Sequence, residues 1–145
     1  MDEGFLTELT RKYPAGWKGV CMKELMVYTG PAVIFLWGVG HLIPTRSIVS
    51  GFGNLGPENR RILAMEWVAE GLTLCFIGIL AALVVFVDGP ASPVGRIVVR
   101  AAAIMLFIMA GLTALTGART SIGPMKACPV VKSIVGVLYI AGAWI

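Results

Sequence analysis

The 145 residues are 57% hydrophobic and 14% charged, with a mean hydropathy of +0.85, which is far more apolar than a soluble domain of this length requires. The net charge of +4 comes from twelve basic residues dispersed at the ends of apolar runs, which suits anionic lipid headgroups and excludes a basic stripe for nucleic acid. Cys21, Cys75 and Cys128 are odd in number, far apart and without a C-x-x-C pair, so neither a zinc site nor a redox dithiol is indicated.

The N-terminal stretch is no secretory signal, because Asp2, Glu3, Glu8, Arg11, Lys12, Lys18 and Lys23 interrupt any apolar core. Phe5, Leu9, Tyr13 and Trp17 recur every four residues, with Leu6 beside them. That spacing predicts a short amphipathic segment in the membrane interface until Pro14 disturbs it; a frayed tail with a few aromatic residues is the competing reading.

Four apolar stretches follow, at about 26–44, 62–87, 94–117 and 130–145. Each is near the ~20 residues that carry a helix across a ~30 Å hydrocarbon layer, and they are too long and uniformly apolar for barrel strands. The first ends in Gly38-Val39-Gly40-His41 and stops at Pro44. A connection over Thr45–Gly56 leads to Gly56-Pro57-Glu58-Asn59, where Pro at the first turn and an acid near the positive end of the dipole mark a helix start. From Arg61 to Asp88 that helix is roughly 40 Å long, so its first turns project into the headgroups. Glu66 then falls near the boundary and Glu70 one turn deeper.

Asp88-Gly89-Pro90-Ala91-Ser92-Pro93 is a tight turn into the third span. There Arg96 and Arg100 can snorkel to the surface or pair with Asp88 or Glu24, and Ala110, Thr113, Ala114, Thr116 and Gly117 form a small-residue flank for close helix contact. Arg119 follows at its end, and Ala118–Pro129 is a second long connection. The fourth span opens with Lys132 and Ser133. Trp17, Trp37, Tyr28, Tyr139 and Trp144 fall near the interfaces, as an aromatic belt does.

These elements predict one all-α domain over residues 1–145, an integral membrane four-helix bundle of up-and-down topology, multi-pass in the cell membrane, with both termini on one face. The orientation stays open. Arg11, Lys12, Lys18, Lys23, Arg96 and Arg100 on one side balance Arg46, Arg60, Arg61, Arg119, Lys126 and Lys132 on the other, so the positive-inside rule favours neither direction of insertion.

Residues four apart share a helix face, so Glu66, Glu70 and Thr73 form a polar stripe in a helix of Leu, Ile, Val and Phe. Antiparallel neighbours bring His41, Thr113, Thr116, Arg119 and Lys132 to the same end. An ionised carboxylate at mid-membrane costs roughly 2.5–3.5 kcal/mol on insertion scales, and is retained mainly where it pairs, protonates or meets water. Three readings stay open: an ion pair of Glu66 or Glu70 with Arg61, Arg119 or Lys132 that pins the helices, a small-molecule pocket, and a proton relay. One His and two Glu could supply three metal ligands, yet there is no Glu-x-x-His pair and no second His, so no metal and no cofactor are expected. No sugar groove accompanies the carboxylate pair, which leaves glycoside hydrolysis without support.

Gly38-Val39-Gly40-His41, then Glu70-Gly71 and Gly78 in an apolar helix, resembles the DoxX-like family of small four-helix membrane proteins over the first two spans. The doubled carboxylate and Asn59-Arg60-Arg61 depart from that pattern. The resemblance implies a membrane redox accessory and transfers no catalytic residue. The expected function is therefore a small ligand-binding or redox-associated accessory protein with His41, Glu66, Glu70, Thr73, Thr113 and Arg119 at its site. The alternatives are a membrane enzyme acting on a lipid or quinone with Glu70 and His41 as acid–base pair, and a proton-coupled carrier. Expected partners are membrane lipids, a small apolar ligand or quinone, and a partner subunit or second copy.

Overall fold

Proline and glycine set the breaks between helices in the structure, a computed structural model that describes residues 17–89 and 91–144, without the side chains of 17–24, 27 and 144. The amphipathic segment expected around Phe5–Tyr13 lies outside the described residues. Helix α1 is Trp17–Leu42, α2 Thr45–Gly51, α3 Pro57–Asp88, α4 Pro93–Leu115 and α5 Gly123–Trp144, with a 3-10 turn at Gly117–Arg119 between the last two. Among the described residues no strand occurs. Three helices are long and apolar enough to cross a membrane: α3, α4 with its turn, and α5. Tyr28–Leu42 and Thr45–Gly51 make a fourth if the pair, bent by 61°, is one span.

The bend falls at Pro44, which restricts Ile43 and removes a backbone donor, and α1, which passes Pro31, ends here. Thr45 Oγ1 donates to the Leu42 carbonyl at 2.7 Å, and the chain restarts with Ile48 N donating to the Pro44 carbonyl at 2.9 Å. Val49 is buried where α2 packs on α3, so much of the connection expected over Thr45–Gly56 is helical. The start of α3 matches its sequence signals, with Gly56 as N-cap and Pro57 and Glu58 in the first turn. At the other end Gly89 turns the chain with φ of +80°, and Ser92 Oγ accepts from Gly95 N at 2.8 Å to cap α4.

Helix α5 departs most from the sequence expectation. It begins at Gly123, not near 130, and runs through Pro129. The ring forfeits the bond its missing N–H would make one turn back and crowds the carbonyl there, a cost the packing of α5 outweighs. Cys128 is consequently helical and shares a face with Lys132.

Helix α1 packs on α3 and α5, and α4 packs on α3 and α5. The α1–α3 contact is backbone-close because glycines meet: a Cβ on Gly38 would lie 2.8 Å from the Gly71 carbonyl oxygen, and one on Gly71 would lie 3.1 Å from His41 Cβ. Between the helices sits an apolar core that includes Ile34, Leu74, Ala81, Val85, Ala103, Leu106 and Val135. Tyr139 belongs to this core and not to an interfacial belt, since its ring is fully buried against Gly30. Arg100 donates from Nη2 to the Ala143 carbonyl at 3.3 Å. Outward faces stay apolar, with Phe76, Phe86, Ile97 and Ile108 each more than half exposed, a surface that fits lipid and not water.

Candidate functional site

Helical spacing delivers the site in pairs. Trp37 and His41 are one turn apart on α1, Trp67 and Glu70 on α3, and Cys128 and Lys132 on α5; α4 adds Thr113. Because Gly38 and Gly71 let α1 and α3 approach closely, His41 lies flat on Trp67, with ring centroids 4.8 Å apart and planes 20° from parallel. Trp37 meets the same imidazole edge-on at 5.8 Å. Trp67 Nε1 donates to the His41 carbonyl at 2.6 Å, satisfying an acceptor stranded at the end of α1.

Lys132 is the centre of the cluster. Its side chain is 0% exposed, and its ammonium pairs with Glu70 Oε1 and donates to Thr113 Oγ1 at 2.9 Å. A buried ammonium without a partner is expensive, so this contact is required by the burial itself. Glu70 remains 25% exposed. The carboxylate therefore has one oxygen inside the protein and access to its surface.

Behind the ion pair, Cys128 is buried between the acid and the imidazole. Its sulfur lies 3.7 Å from Glu70 Oε1 and 3.5 Å from His41 Nε2. On the far side of the ring, His41 Nδ1 is 3.1 Å from the Trp37 carbonyl. A carbonyl only accepts, so Nδ1 carries a proton and Nε2 of the neutral ring presents its lone pair to the sulfur. The Trp37 indole N–H is buried beside that sulfur, the nearest acceptor it has, in a geometry short of a full hydrogen bond.

A groove of about 350 Å³ opens beside the ion pair between α3 and α4. Glu66, Glu70, Thr73, Thr113 and Lys132 supply its polar wall, and Leu63, Met109 and Leu112 its apolar one. Glu66 is exposed at the rim and does not enter the buried cluster. Thr73 lines the groove while its hydroxyl donates to the Ala69 carbonyl at 2.8 Å. Arg119 is exposed on the 3-10 turn, and the cation that reaches Glu70 is Lys132, whose side chain points inward from α5. Thr116 is exposed and bonds to its own helix at the Leu112 carbonyl.

Glu70 and His41 come together through Cys128 and not directly. Sequence patterns alone do not single out the thiol or Trp67 as site residues. The available signal is spacing: Cys128 stands four residues before Lys132, and Trp67 three before Glu70. Compared with known protein families, curated proteins and solved structures, the chain gives no match.

Proposed function

We propose that this chain is a multi-pass membrane protein, an up-and-down bundle of four spans, whose groove binds a small amphiphile. The polar head of that ligand meets Glu70, Lys132 and Thr113, and its apolar part lies along Leu63, Met109 and Leu112. The observation that carries this reading is the half-open ion pair: Lys132 is wholly buried, yet its partner Glu70 lines a groove large enough for a headgroup or a quinone ring. A simple helix pin needs no such opening. The pair both pins α3 to α5 and forms the floor of the groove.

The likeness of Gly38–His41 and Glu70-Gly71 to DoxX-like proteins leads in the same direction, to a redox-associated accessory that holds a lipid or quinone. A proton-coupled carrier is supported less, because Ile34, Leu74, Ile77, Ala81, Val99 and Leu106 fill the bundle with apolar side chains beyond the cluster. A carrier needs polar groups that continue toward the opposite surface.

The test is the thermal midpoint of the detergent-solubilised protein titrated with a long-chain fatty acid, a phospholipid and a short-tailed quinone. At least one should raise it in a saturable way. Ala69→Trp fills the groove from an exposed helix position. It should abolish the rise and leave the ligand-free midpoint in place; a rise that survives this block would place the ligand elsewhere.

A further inference from the structure

Three potential metal ligands converge within the buried cluster: His41 Nε2, Cys128 Sγ and a Glu70 carboxylate oxygen all lie within 4.8 Å of one another. We propose that they form a binding site for one thiophilic transition-metal ion, of which zinc(II) fits the geometry. The inference goes beyond amphiphile binding and stands or falls separately from it, since His41 and Cys128 do not line the groove.

Bond lengths of about 2.0–2.3 Å at a tetrahedral angle set ligand atoms roughly 3.5 Å apart. The sulfur already stands 3.5 Å from the imidazole nitrogen and 3.7 Å from the carboxylate oxygen. The ring is held as metal-binding histidines usually are, with the nitrogen remote from the site hydrogen-bonded to a backbone carbonyl and the near one left with its lone pair.

Once the metal has displaced the thiol proton, the thiolate meets a donor: the buried Trp37 N–H lies beside the sulfur and has no better acceptor. The ammonium of Lys132 is held by Thr113 and by Glu70 Oε1; the same oxygen lies 3.7 Å from the sulfur, and its second lone pair is the one available to the metal. Metal binding releases one proton from the Cys128 thiol, and a second from bound water where hydroxide is the fourth ligand, and it oxidises nothing. Thiolate, carboxylate, ammonium and zinc(II) together carry one positive charge, so the fourth ligand is hydroxide or an anion. Burial favours an ion over larger reactants: Cys128 is 1% and His41 4% exposed, and Glu70 is the ligand that reaches the groove.

The experiment titrates the full chain in detergent with zinc(II) against a chromogenic chelator, and with cobalt(II) followed by absorption. One equivalent of zinc should bind, and cobalt should produce a thiolate charge-transfer band. The Cys21→Ser/Cys75→Ser variant should keep the band, whereas Cys128→Ser should lose it and His41→Ala, which removes a direct ligand, should weaken zinc binding by at least about 100-fold, the upper end for loss of an outer-shell partner. Because the band is read in protein with Cys128 intact, a folding defect in Cys128→Ser or His41→Ala does not blunt the test. Absence of stoichiometric binding to the folded wild-type chain, cobalt binding without the band, or loss of the band in Cys21→Ser/Cys75→Ser would each overturn the proposal.

Discussion

At the scale of single residues, Lys132 is the side chain with most at stake, because it has no exposure and its charge is balanced by one carboxylate. Glu70→Gln strands that ammonium and should destabilise the protein by about 3 kcal/mol, the lower end for a broken buried pair because water reaches Glu70. Reversible unfolding in mixed micelles measures this. Trp67→Phe keeps a ring against His41 but removes the donor to its carbonyl, and should lose about 1–2 kcal/mol in the same assay. Glu70, His41, Thr113 and Lys132 are legible in the sequence because polar groups inside apolar runs are expensive and must be used. Cys128 is not, for a physical reason: a thiol has nearly the hydropathy of its neighbours, and Pro129 reads as a helix breaker when the real helix passes through it. Arg119 looks as good a partner for Glu70 as Lys132, since spacing does not say which of two cations at one end faces inward.

At the scale of elements, the approach of α1 to α3 determines whether the site assembles. A Cβ on Gly38 would press on the Cys75 amide and the Gly71 carbonyl at 2.8 Å, and backbone cannot rotate away. Gly38→Ala should therefore separate the helices and destabilise by about 1–3 kcal/mol, as overpacking does. Gly40, two residues on, meets nothing within 4 Å, so Gly40→Ala should be neutral or slightly stabilising. Equal effects of the two substitutions would dissociate the site from this contact. The helix positions are readable from hydropathy and from signals such as Gly56-Pro57-Glu58. The short helix α2 and the early start of α5 are not, because α2 is rich in Ser, Thr and Gly and the first turns of α5 carry Pro124 and Pro129, and tertiary packing of residues such as Val49 and Cys128 outweighs local propensity.

Across the whole molecule, outward apolar faces and an apolar core leave, among the described residues, one buried polar cluster, set toward one end of the helices. The proposed four-span topology would put the connections after α1 and after α4 on one side of the membrane and the Gly89 turn on the other. In a background lacking the native cysteines, Ser47→Cys and Ser121→Cys should label with an impermeant maleimide from the same side, and Ala91→Cys from the opposite one. Labelling of Ser47→Cys and Ser121→Cys from different sides would contradict the topology.

The central claim is that the Lys132–Glu70 pair is retained for a ligand and not for the fold alone, and the Glu70→Gln/Lys132→Met double variant separates the two. Replacing both charges removes the stranded ammonium, so stability should return to within about 1 kcal/mol of the wild type. The decisive measurement is the ligand-dependent rise in thermal midpoint of that double variant. A ligand role for the pair requires a folded protein with no rise; a rise equal to that of the wild type would rule it out.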